Sequence, residues 1–177
     1  QRVPRWKMGG SRPQNHPQRR LGGMGRLATT WDDFSQIALK SPLDVKRVQT
    51  FLEGLRHAFW DHHYTLKAGP AAKPMALIGR ARVNDILANQ LIPLRLHEAP
   101  EAVWQCYAKL PAVLDNEKLR RATLRLFGEH PKRELFTKQL CLQQALLQVY
   151  NDLCLTDQSD CEDCPFPEQV WNLSQRG

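Results

Sequence analysis

The chain has 177 residues, 42% of them hydrophobic and 24% charged, with a formal net charge of +7. That length suits one domain with a real core, or one domain plus an irregular arm, and the composition is globular. The longest apolar runs break within a few residues, as at Ala76-Leu77-Ile78 before Gly79-Arg80. None approaches the roughly eighteen apolar residues of a membrane span, and the basic amino end lacks the apolar segment of a secretory signal.

Residues 1–26 read as a basic extended arm. They hold Arg2, Arg5, Lys7, Arg12, Arg19, Arg20 and Arg26 and no acid, whereas the rest of the chain balances. Pro4, Pro13 and Pro17 keep the arm irregular, and a helix becomes possible from Gln18, weakened by Gly22, Gly23 and Gly25. Glycines at that density also permit close packing. The arm suits a linker, an acidic face of another domain, or nucleic-acid phosphates through Arg12, Arg19 and Arg20. A start on glutamine suggests a processed or truncated chain.

Residues 27–153 form the expected helical domain. Trp31, Phe34 and Ala38 keep helical spacing. Ser41-Pro42-Leu43-Asp44 marks a helix start, with Ser41 as cap and Pro42 in the first turn. Val45, Val48, Leu52, Leu55 and Phe59 then make one apolar stripe. Trp60 to Pro74 reads as a loop. Ile78, Val83, Ile86, Leu87 and Leu91 restore the helical period until Pro93 limits it. Shorter helices are expected over 99–110 and 117–127, and a long central one from Pro131 to about Leu153. No alternating strand pattern competes. The fold class is all-α, about six helices in an irregular bundle.

Residues 154–177 make a Cys-rich loop and tail. Cys154, Cys161 and Cys164 stand in a C-x6-C-x2-C-P pattern, in which three thiolates can share a zinc ion or an iron–sulfur cluster. Asp157, Asp160, Glu162 and Asp163 would repel phosphate, which favours a structural role. Without an export signal the default compartment is a reducing cytosol, where a disulfide framework is not expected. A fourth ligand is not identified: Cys141 lies on a nearly opposite helix face, while Cys106 and the histidines cannot be ranked. Trp60-Asp61-His62-His63-Tyr64 is a second constellation, able to bind metal or move protons, although short His tracts more often pack or are solvated. Asn84 and Asn89 suit bonds to backbone ends.

The cysteine spacing is similar to the start of the iron–sulfur loop of helix-hairpin-helix DNA glycosylases. Val170 stands where their fourth cysteine falls, and Leu110-Pro111-Ala112-Val113-Leu114 replaces the glycine-rich hairpin. Three other pieces, in order, carry a wider resemblance: Arg12-Pro13 with Asn15, Pro17 and Arg19-Arg20-Leu21; Ile78-Gly79-Arg80 with Asn84, Asn89 and Pro93; and Gln143-Gln144 with Leu146-Leu147 and Val149-Tyr150 leading to the cysteines. Together they resemble the carboxy-terminal half of a large bacterial family known only as a domain of unknown function (DUF2851). The resemblance implies a longer protein, with nuclease-like acidic and histidine motifs in a front half that this chain lacks. An amino-terminal domain of the same protein is then the expected partner, and Arg12 and Asn15 would anchor the junction. The expected function is a non-catalytic helical support with a metal-stapled carboxy-terminal loop; a nucleic-acid-binding or nucleic-acid-processing module is the alternative.

Overall fold

The computed structural model describes residues 16–112, 117–155 and 161–175; the side chains of Lys132, Cys161, Val170 and Leu173 lie outside that description. The described residues are helices joined by irregular segments, without strands, apart from one isolated bridge between Pro111 and Gln139. The all-α class is as expected, with more and shorter helices. The chain divides into two compact units, residues 1–106 and 107–177.

In the first unit, α1 (Pro17–Thr29) opens with proline, which has no N–H to leave unpaired, and His16 Nδ1 accepts from Gln18 N at 3.3 Å. Residues 17–26 are therefore helical rather than an extended arm. A break at Thr30 leads to α2 (Trp31–Ala38), whose Asp32 and Asp33 suit its positive end. The next helix, α3 (Val45–Glu53), starts three residues beyond the Ser-Pro signal. Asp44 outcompetes Ser41 as cap, accepting from Arg47 N at 2.9 Å.

A long irregular stretch leads to α4 (Arg80–Ile86), a π turn (Leu87–Leu91) and α5 (Ile92–Arg95). Pro93 does not end this helix as expected. The π turn, in which Ile92 N reaches back five residues to Leu87 O, widens the backbone just ahead of the proline ring. Val48, Leu52, Val83 and Leu87 are almost wholly buried where α3 meets α4. The helix α6 (Pro100–Ala108) continues two residues past Cys106, where the first unit ends.

In the second unit, α7 (Glu117–Phe127) packs on α9 (Leu140–Val149). Leu119, Ala122, Leu146 and Tyr150 form the core, and Phe127 stacks on Phe136 at 4.5 Å. Gly128, at φ 52°, ends α7 in the left-handed region that a side chain would strain. The long helix expected over 131–153 is divided. A 3-10 turn (Pro131–Glu134) and α8 (Leu135–Lys138) precede extended Gln139, and a π turn (Tyr150–Leu155) follows α9. The break is tertiary: Leu140 N donates to Leu110 O at 2.9 Å and Ala112 N to Lys138 O at 2.8 Å. A 3-10 turn (Cys161–Asp163) and α10 (Phe166–Ser174) complete the described residues.

Candidate functional site

The first unit is organised around Arg19, a side chain its charge alone assigns to the surface. It is 2% exposed. Its Nη1 donates to Trp60 O at 2.9 Å, and its Nη2 to Met75 O at 3.2 Å and Ala76 O at 2.8 Å. These carbonyls come from the two ends of the loop between Asp61 and Met75, which a backbone bond of 2.8 Å from Met75 N to Asp61 O also joins. One guanidinium fork thus closes the loop; each charge-assisted bond contributes about 1.5–3 kcal/mol. Burial draws the Arg19 pKa below its ordinary value, and the charges of Asp61 and Tyr64 oppose that shift. Gln18 Oε1, beside it on α1, accepts from Leu66 N at 3.0 Å.

Trp60 explains one of the glycines. A Cβ on Gly22 would collide with the Trp60 indole, so the ring rests directly on the α1 backbone. Close packing was expected of these glycines, and an aromatic side chain exploits it.

The histidines lie in the same loop, each on its own backbone partner. His62 Nδ1 faces Ala71 O at 3.2 Å, and His63 Nδ1 faces Phe59 O at 2.8 Å. A carbonyl has no proton to give, so both rings carry theirs on Nδ1. His63 also stacks on Phe59, with centroids 4.0 Å apart and 5° between planes. Asp61 Oδ1 accepts from His57 N at 3.2 Å, and His57 Nδ1 accepts from Trp60 N at 3.4 Å. The residues expected as a metal or proton-transfer centre, Asp61, His62 and His63, thus each bond loop backbone, and the His63 ring is stacked on Phe59.

Arg95 repeats the device. Buried at 5% exposure, it donates to Leu39 O at 2.7 Å and Lys40 O at 3.2 Å, beyond the end of α2, and pairs with Glu98 at 2.8 Å. It borders a cavity of about 120 Å³ lined also by Ser41, Pro42, Val103 and Cys106. Asn84, 2% exposed, accepts from Gln49 Nε2 of α3 at 3.1 Å, and Asn89 donates to Asp85 O, one turn earlier in its own helical run, at 2.9 Å. Sequence reasoning missed both arginine anchors. The signal that could have found Arg19 is its place between Gln18 and the packing glycines, on the inward side of an amphipathic turn.

Of the residues expected to meet phosphate, Arg12 lies outside the described residues, Arg20 is exposed, and Arg19 is committed to three carbonyls. At 2% exposure, the Arg19 guanidinium is not presented at the surface where a phosphate would meet it. Of the expected metal ligands, Cys154 and Cys164 are half-buried free thiols, and the Cys161 side chain lies outside the described residues. Cys154 packs against the Leu119–Tyr150 core. Among the described residues no three His, Cys, Asp or Glu side chains gather as a metal site. Cys141 turns toward Ala108 O, 4.0 Å away. Tyr107 donates to Gln144 Oε1, and burial, with the Cys141 charge, raises its pKa above the ordinary value.

While α1 buries Arg19 and α2 buries Phe34 and Ala38, both helices also leave large apolar side chains exposed. Leu21 is 56% exposed, Met24 68% and Trp31 56%. Fold and site together define an all-α domain whose buried polar side chains hold its own loops while large apolar side chains face outward. The chain belongs to the family described as proteins of unknown function (DUF2851), whose model matches residues 1–112. The match takes in the Arg12–Leu21 and Ile78–Pro93 motifs; the Gln143–Tyr150 motif lies beyond it. No curated protein and no solved structure matches the chain. Among the described residues no helix is long and apolar enough to cross a membrane.

Proposed function

We propose that this chain is a non-catalytic helical support that carries an amino-terminal domain of the same protein on the outer face of α1 and α2, in the bacterial cytosol. The observation that carries the reading is the exposure of Leu21, Met24 and Trp31 within eleven residues, in the part of the chain the family model matches. Large apolar side chains clustered at a surface favour burial by a partner, each contributing about 1.5–3 kcal/mol when fully covered. The commitment of Arg19, His57, His62 and His63 to backbone atoms supports a structural role for the polar residues that most resembled a reactive centre.

Co-expression tests it. The domain encoded ahead of Gln1 co-purifies with this chain, and Leu21→Ser, Met24→Ser and Trp31→Ser together abolish the association while leaving the helical circular-dichroism signal intact. A gene encoding no such domain, or undiminished association of the triple variant, contradicts the reading.

The same proposal includes a metal staple at Cys154, Cys161 and Cys164, holding zinc or an iron–sulfur cluster. Its support is the cysteine spacing and the two half-buried free thiols on either side of residues 156–160. A closed site needs a fourth donor. Anaerobically purified protein then contains near-stoichiometric zinc or iron by elemental analysis; neither metal at that level removes the staple.

A further inference from the structure

The second unit carries a charged face of its own on α7. Residues 107–177 hold 9 Lys+Arg and 10 Asp+Glu, so there is no overall basic excess to explain. The cations are nevertheless gathered. Lys118, Arg120, Arg121 and Arg125 all lie exposed on one helix of 11 residues, with Glu117 as its one acid. Lys118, Arg121 and Arg125 recur at i, i+3 and i+7, which places them on one exposed face, flanking the buried stripe of Leu119, Ala122 and Thr123. At a rise of about 1.5 Å per residue they span about 10 Å of axis.

Glu117 pairs with Arg120 at 2.8 Å and Arg121 at 3.1 Å, both across largely exposed side chains, so the pairing is screened and weak. Among the described residues Lys118 and Arg125 have no ion-pair partner. Leu124, beside them, is 58% exposed, and no described element covers this face.

These three cations, of which only Arg121 has an ion-pair partner among the described residues, gain little from protein carboxylates, because exposed pairs contribute only about 0–1 kcal/mol each. A nucleic-acid backbone differs: every phosphate neutralised releases condensed counterions, which adds an entropic gain the protein carboxylate lacks. The length of the stripe is on the scale of a few successive phosphates of one strand, which rise about 3.4 Å per step. Arginine forks suit phosphate oxygens in pairs. We infer that the Lys118–Arg121–Arg125 face of α7 is a sequence-independent contact for the phosphate backbone of duplex nucleic acid. This contact lies in the second unit, beyond the family match, and does not rest on the carriage of an amino-terminal domain by α1 and α2.

The test is fluorescence anisotropy of a labelled mixed-sequence DNA duplex with the full chain across a salt series. Replacing Lys118, Arg121 and Arg125 by alanine weakens binding about tenfold or more at low salt and makes the logarithmic salt slope shallower by about one per lost phosphate contact. A charge-matched control replaces Lys40, Lys46 and Arg47, which are exposed near α3, and leaves most of the slope in place. Equal losses in the two variants mean diffuse attraction to net charge and overturn the site. Equal loss of binding to polyglutamate or to anionic vesicles overturns nucleic acid as its occupant. If the alanine variant melts early, the glutamine variants at the same positions replace it, and unchanged duplex binding by those refutes the inference.

Discussion

The two units differ in what their buried polar side chains hold: in the second, Thr123 donates to Leu119 O of its own helix. The first seals arginines, an asparagine and backbone carbonyls inside: Arg19 gathers Trp60, Met75 and Ala76, and Arg95 gathers Leu39 and Lys40. The second closes on an apolar cluster of Leu119, Ala122, Leu146 and Tyr150, with Cys154 at its edge. A loop without a periodic apolar face cannot be held by packing, so directional donors do the holding. An amphipathic helix pair needs no such device. The difference predicts where each unit is fragile.

The largest effect is expected at Arg19. Arg19→Met keeps much of the apolar stem but leaves three carbonyls without their donor, and should destabilise the first unit by about 3 kcal/mol or more in urea unfolding. Arg19→Lys, which keeps the charge without the fork, recovers only part of that loss. An Arg19→Met protein as stable as wild type would break the contrast between the units.

Next come two glycines of α1 with opposite signs. Gly22→Ala drives a methyl into the Trp60 indole and should cost about 1–3 kcal/mol. Gly25→Ala meets nothing within 4 Å and should stabilise the helix by up to about 1 kcal/mol. Thermal melts of the two variants moving in the same direction would show that Trp60 does not rest on α1 as described.

In the second unit, a metal staple makes Cys154→Ala and Cys164→Ala equally harmful, and a chelator reproduces both. Packing alone predicts an asymmetry: Cys154→Ala costs about 1 kcal/mol through the apolar core and Cys164→Ala almost nothing. Melting temperatures with and without chelator separate the two.

The smallest effect is alkaline. Burial raises the Tyr107 pKa above 10.0, so the folded state keeps a proton that the unfolded state loses. That contribution is complete below pH 10 and disappears as pH rises through the higher folded value. Tyr107→Phe should flatten the stability profile of the second unit above pH 10; an unchanged profile would remove Tyr107 as its cause.

Much of the fold was legible where side-chain periodicity and local chemistry agreed. Helix α7 matches its expected span of 117–127, because its apolar positions repeat every three or four residues between charged ones. Legibility failed where tertiary partners decide. Gln139 gives no sign in its own sequence of the bridge to Pro111 that divides the long helix. Asp44 displaced Ser41 as the cap of α3, and the π turn before Pro93 kept that helix going.

The candidate site shows the same limit more sharply. Arg19 sits among cations that read as one phosphate-seeking arm, and only its burial against three carbonyls reveals its role. His62 and His63 look like chemistry when read as neighbours in sequence. In space each ring serves a different carbonyl, so adjacency along the chain creates no shared centre. The ridge of Leu21, Met24 and Trp31 was hidden because an apolar residue at helical spacing reads as core.

The claim that this ridge carries a domain is tested most directly by hydroxyl-radical footprinting. Met24 and Trp31 are both readily oxidised and both exposed, and Trp171, 66% exposed, serves as a reference in the second unit. When the amino-terminal domain is co-purified with the chain, oxidation of Met24 and Trp31 should fall several-fold while Trp171 keeps its rate. Undiminished oxidation of Met24 and Trp31 in that complex would contradict the ridge as the carrying face.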